Sequence, residues 1–143
     1  MKYIRIGDIK RFRQYFENSK IDVNRKSTYF QETVLFVACQ NGRFDIVEHM
    51  LGSKRELNLT GENYQGISPL QIAKINSELH EKKLSHTKEL KRRNISTTRN
   101  NCLLIYNLLQ EYQSDSKGVK KRLRKKLNLE GKKKNLFLSS FFF

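Results

Sequence analysis

The chain has 143 residues, about one domain's worth, and carries 29 Lys or Arg against 14 Asp or Glu for a formal net charge of +15. Two cysteines are too few for a disulfide framework, and no apolar stretch approaches the about 20 residues that span a bilayer. Residues 1–16 are studded with Lys and Arg and lack the continuous apolar run of a secretory leader, so the expected compartment is the cytosol or the nucleus.

In chain order, the first landmarks are Gly7, Phe12 and Phe16. They return as Gly42, Val47 and Leu51, each 35 positions on. Thr33, Leu35 and Ala38 return as Ser68, Leu70 and Ala73 at the same offset. A period of this length implies a supersecondary unit that cannot bury its apolar face alone and stacks on its neighbours. The fullest copy spans residues 33–51, where Leu35, Val37 and Ala38, then Ile46, Val47, Met50 and Leu51, keep helical spacing on either side of Gly42. The pattern predicts helix, tight turn, helix. Gly42 relieves the steric penalty of a left-handed turn, while Ala38 and Cys39 are small where neighbouring helices approach. Residues 24–31 and 58–66 are rich in Asn, Ser, Thr and Gly, which suits extended turns between units.

These residues resemble the ankyrin repeat. The family's Thr-Pro-Leu-His-x-Ala-Ala core is matched by Thr33, Leu35, Ala38 and Cys39 and again by Ser68, Pro69, Leu70 and Ala73. The following Gly-His-x-x-Ile-Val-x-x-Leu-Leu is matched by Gly42, Ile46, Val47, Met50 and Leu51. Asp22, Val23 and Asn24 look like the family's unit-ending Asp-Val-Asn, and Asn63 with Gly66 looks like its unit-opening Asp-x-x-Gly. The resemblance implies an all-α, ankyrin-like helix-turn-helix repeat solenoid of about three imperfect repeats, at about 1–24, 25–59 and 60–112. The first unit begins in mid-repeat, so residues 1–5 are expected either to form an atypical cap or to mark a fragment of a longer array. Val34 stands where the family has proline, and no His follows Leu35 or Leu70, so some of the family's usual hydrogen bonds are missing and stability is expected to be modest.

The third unit is interrupted by an insertion at 77–101, with seven basic and three acidic residues and few large apolar ones. Ile72, Ile75, Leu79 and Lys83 can extend the preceding helix outward, and the expectation is a solvated helical extension to about residue 93 followed by a polar loop at 96–101. The second-helix pattern then appears at 104–109. From residue 113 to 143 lies a tail with ten basic and two acidic residues, expected to be disordered. Its blocks Lys120, Lys121, Arg122, Arg124, Lys125, Lys126 and Lys132, Lys133, Lys134 can attract polyanions through counterion release. Val119, Leu123 and Leu127 fall four apart, so an induced helix there would be basic on one side and thinly apolar on the other. Leu136, Phe137, Leu138 and Phe141 to Phe143 could add contact with an anionic membrane surface, or be no more than an exposed end.

Catalysis has no motif behind it. His49, His80 and His86 share no metal-ligand spacing with one another or with Cys39 and Cys102, and neither a phosphate-cradling Gly-rich loop nor a nucleophile elbow is present. His49 is expected to pack on a second helix with its polar edge outward. No enzyme, cofactor or metal site is therefore expected. The resemblance implies instead a monomeric protein-protein interaction module, binding a partner through its inter-repeat turns and first-helix face. Tyr29 and Phe30 are the anchor candidates, with Arg25, Lys26, Tyr64 and Gln65 in matching turns and Gln40, Gln71 and Lys74 on the helix face. Tyr29 and Phe30 could alternatively just fill a long turn. The chain's positive charge points to a partner with an acidic surface. The alternative is a polyanion-binding or peripheral membrane protein, in which the tail meets nucleic acid or an anionic membrane.

Overall fold

A computed structural model describes residues 1–18, 20–84 and 89–129. Among them are seven α-helices and no strand: α1 (Lys2–Ile6), α2 (Ile9–Asn18), α3 (Val34–Gln40), α4 (Phe44–Gly52), α5 (Pro69–Leu84), α6 (Glu89–Ser114) and α7 (Ser116–Lys126). The 35-residue offset is visible in the backbone. α3 starts at Val34 and α5 at Pro69, and α1 and α3 end one or two residues before Gly7 and Gly42, whose φ angles are 76° and 61°. Only glycine adopts this left-handed geometry without steric penalty, so these two positions turn one helix into the next.

The first helices of the second and third units are each started by side-chain caps. Thr33 Oγ1 accepts the Phe36 amide at 3.2 Å, capping α3. Ser68 Oγ accepts the Gln71 amide at 3.3 Å while Gln71 Oε1 accepts the Ser68 amide at 2.7 Å, a reciprocal capping box at the start of α5. Pro69 occupies the first helical position, where its missing donor has no partner to lose.

The helices form two layers. α1, α3 and α5 contact one another in turn, α2, α4 and α6 do the same behind them, and α7 packs against α4 and α6. Between the layers lie Phe12, Phe16, Leu35, Val37, Ala38, Cys39, Ile46, Val47, Met50, Leu51, Ala73, Ile105 and Leu109, all buried. Burying each large apolar side chain contributes about 1.5–3 kcal/mol. Hydrogen bonds also tie unit to unit. The Asn24 side chain donates to the Glu56 carbonyl at 2.9 Å and accepts the Asn58 amide at 2.8 Å, while the Asn76 side chain donates to the Gln40 carbonyl at 2.9 Å.

Three sequence expectations need correcting. Residues 96–101 are not a loop: α5 ends at Leu84, α6 begins at Glu89, and the segment lies inside α6, so the insertion lengthens both helices of the third unit. The tail is not disordered from 113. Its first part completes α6 and forms α7, although an eleven-residue polar helix is too short to be stable alone in water. Packing supplies what propensity lacks, since Val119 and Leu123 are buried and Asp115 Oδ1 accepts the Gly118 amide at 2.9 Å as a cap. His49 does not face outward either. It is 1% exposed, edge-on to Phe12 and Phe16, with Nε2 3.3 Å from Glu17 Oε1.

Candidate partner-binding surface

The residues singled out for partner binding separate into four groups. Tyr29 stands at the tip of the turn between the first two units and is 88% exposed, so it fills no space in the fold. Phe30 beside it and Tyr64 in the next turn, 51% and 60% exposed, lean on each other with ring centroids 6.0 Å apart and planes tilted by 50°. Their backbones are joined as well, the Tyr64 amide donating to the Phe30 carbonyl at 3.1 Å. Two successive turn tips are thus held together with their aromatic rings in water. An exposed aromatic pair keeps the energetic value it would release on burial.

Phe30, Tyr64, Gln65 and Gln40 line one cavity of about 340 Å³ on the first-layer side. The structure completes it with Arg5, Glu32, Phe36, Asn41, Asn63, Ile67 and Ile72, none of which the sequence reading selected. The Asn63 side chain accepts the amides of Gln65 and Ile67, both at 3.0 Å, and so shapes the turn that carries Tyr64. Arg25 and Lys26 line a different cavity of about 400 Å³, with Tyr3, Phe12, Tyr15 and Phe16, beside α1 and α2. Lys26 Nζ also donates to the Glu62 carbonyl at 2.6 Å, tying the two turns together. Gln71 and Lys74 line neither of these two cavities. Gln71 is held by its capping box, and Lys74 lies 4.0 Å from Glu78 one turn along α5.

The polyanion candidates are partly engaged by the fold. Lys120 meets Glu56 at 2.7 Å, Lys126 meets Glu48 at 2.6 Å and lies 5.8 Å from the Phe44 ring centroid, and Arg122 is bidentate to Glu111. The Arg122 guanidinium holds the Glu111 carboxyl below its usual range. Lys121, Arg124 and Lys125 have no ion pair among the described residues. Lys132, Lys133, Lys134 and the Phe-rich end lie outside the described residues. The apolar stripe of the induced helix faces inward, with Val119 and Leu123 buried, so α7 does not offer it to a membrane.

Comparison with protein-family models, with curated proteins and with solved structures finds no match. The surface therefore has to be read from its own chemistry. Among the described residues no group of three or more His, Cys, Asp or Glu is placed to hold a metal ion, and no helix is long and apolar enough to cross a membrane. Cys39 and Cys102 are both free and buried, and burial pushes each thiol above its ordinary range. A protonated thiol is a poor nucleophile. The hollow flanked by the two turn tips is lined by aromatic and amide side chains.

Proposed function

We propose that this chain is a short ankyrin-like repeat module that binds a partner protein on the side carrying α1, α3 and α5 and the inter-unit turns. The solenoid reading is supported by the 35-residue register of helix starts, the matched turn glycines and the two layers of helices. The binding reading rests on one observation above all: Phe30 and Tyr64, from successive turns, stand exposed together at a cavity lined also by Gln40 and Gln65. Aromatic side chains at the centre of an interface commonly carry 2 kcal/mol or more each when truncated, roughly a thirtyfold change in affinity. The positive charge of α7 and the tail draws partners with an acidic surface and raises the encounter rate without setting the contact.

The test is selection of peptides from a random library on the full chain, followed by affinity measurements on variants. Phe30→Ala with Tyr64→Ala should weaken the selected peptides at least about thirtyfold. Lys121→Gln with Lys125→Gln should change affinity little, and added salt should weaken binding only modestly. Peptides that ignore the aromatic pair, yet lose affinity steeply with salt and with the lysine variants, would overturn this reading in favour of polyanion binding.

A further inference from the structure

The cavity between the turn tips contains a group that the fold leaves unanswered. Glu32 is 6% exposed and lines the same hollow as Phe30 and Tyr64. Its backbone is fully used, since its amide donates to Ser27 Oγ at 3.1 Å and its carbonyl accepts the Ser27 amide at 2.9 Å. Its carboxylate has neither an ion pair nor a hydrogen bond among the described residues. Arg5 also lines the cavity, yet no salt bridge joins it to Glu32, and its backbone carbonyl is taken by the Arg43 guanidinium. In a chain with 29 basic residues, a carboxylate in a hollow without a cation is not for want of candidates. Neither carboxylate oxygen is cut off from water, so the group is open to a cation entering the hollow. The position is also singular within the repeat, because Ile67 stands 35 residues on, in the matching place of the next turn.

We propose that this hollow is a receptor for a single lysine or arginine side chain of the partner polypeptide. The proposal rests on the partner-binding reading above and names the chemistry of the anchor. The cation meets the Glu32 carboxylate at the inner end. The Phe30 and Tyr64 rings, tilted by 50° to each other, supply negative faces at the mouth. Gln40 and Gln65 offer amide oxygens beside it. Charge complementarity with Glu32 selects this occupant, since an apolar side chain would leave the carboxylate unpaired and an acidic one, though Arg5 shares the lining, would also meet Glu32. An acidic surface on the partner remains compatible with a basic anchor. The steering charges of α7 pack behind the second layer, while Glu32 belongs to a turn that opens on the first.

The experiment is an NMR titration of the full chain with acetyl-arginine amide and with acetyl-citrulline amide, which keeps the shape and loses the charge. Saturable shifts at Phe30, Glu32, Tyr64 and Gln65 with arginine, absent with citrulline, are expected, and Glu32→Gln should weaken the response at least about tenfold while leaving the rest of the spectrum in place. The library-selected peptides should each carry an essential Lys or Arg whose replacement by Ala and whose loss of partner in Glu32→Gln are not additive. Equal response to citrulline, or unchanged affinity in Glu32→Gln, overturns the proposal. If Tyr64→Ala still abolishes peptide binding in that case, the partner-binding reading survives without the cation; if neither variant matters, both fall. A full chain that responds to arginine only after Lys132→Gln, Lys133→Gln and Lys134→Gln would assign the hollow to its own tail. A dimer that Glu32→Gln dissociates would assign it to a second copy. Either result overturns the partner anchor.

Discussion

The second and third units begin alike and end differently. α3 and α5 start 35 residues apart behind side-chain caps, and Ala38 and Ala73 are both fully buried at the same place in the stack. Yet α3 stops after 7 residues and α5 continues for 16, and their second helices run for 9 and 26. The matched turn position explains the divergence. Gly42 sits at φ 61°, whereas 35 residues on stands Ser77, whose backbone stays helical and whose hydroxyl donates to the Lys74 carbonyl at 2.7 Å. A serine stays in the right-handed region far more easily than it enters the left-handed one. The helix therefore runs on, and its partner must lengthen to meet it. One residue type at one register position separates a unit of short helices from a unit of long ones.

Overpacking the shared position is the strongest test of the likeness. Ala38→Leu and Ala73→Leu should each destabilise by about 1–3 kcal/mol, and by similar amounts if the two sites are true copies. Thermal unfolding followed by circular dichroism measures both. A large loss at one and none at the other would show that the third unit does not stack on the second as the second stacks on the first. Next comes the turn itself. Gly42→Ala should cost about 1–2 kcal/mol, whereas Ser77→Ala should stay within about 0.5 kcal/mol because no left-handed residue is involved. Equal losses would sink the explanation just given for the unequal helices.

A third effect crosses from one unit to the other. Cys39 on α3 and Cys102 on α6 are both buried, and burial raises the Cys39 thiol first, with Cys102 nearby adding to the shift. A thiol whose folded pKa is raised holds its proton in the native state when the unfolded chain has already lost it. Its contribution is therefore complete below the ordinary thiol value of 9.0 and is lost progressively as pH rises above it. Wild type should lose melting temperature between about pH 9 and 11 more steeply than a variant carrying Cys39→Ala and Cys102→Ala. Parallel curves would mean that the thiols ionise freely in the folded chain.

The helix starts were legible because they are local. A cap, a proline or a glycine acts within one turn: the 35-residue register of Thr33 with Ser68 marks the starts of α3 and α5, and Gly42 marks the turn. α7 was read only as an induced helix because what stabilises it is remote: Lys120 finds Glu56 across 64 residues and Lys126 finds Glu48 across 78. No window along the chain contains both partners. The polar loop expected at 96–101 is helix for a related reason, since α6 packs along α5, which lies far off in the local sequence. At the candidate site, exposed aromatics in turns were a visible signal. Glu32 was not, because a carboxylate next to a capping threonine reads as surface until the turns close over it. Aligning the units would have flagged it, as a charge facing Ile67 in the repeat.

The smallest effect concerns the turn tips. Gln31 has φ 52° and stands 35 residues before Gly66, whose φ is 73°. A side chain in this region costs about 1–2 kcal/mol, which Gln31→Gly would relieve. Against that, glycine adds about 0.5–1 kcal/mol of unfolded-state entropy to be lost, and the exposed bond from Gln31 Nε2 to the Thr28 carbonyl, 3.1 Å, disappears. The net gain should be a few tenths of a kcal/mol, roughly 1–2 °C in melting temperature. Gly66→Gln should lose more than Gln31→Gly gains. A side chain at Gly66 meets open space, its nearest neighbour being Glu62 Oε2 at 4.0 Å, so the backbone strain arrives without a compensating hydrogen bond. If Gln31→Gly instead destabilises strongly, the glutamine is anchoring the turn that carries Tyr29 and Phe30, and the strain is what holds those rings at the tip.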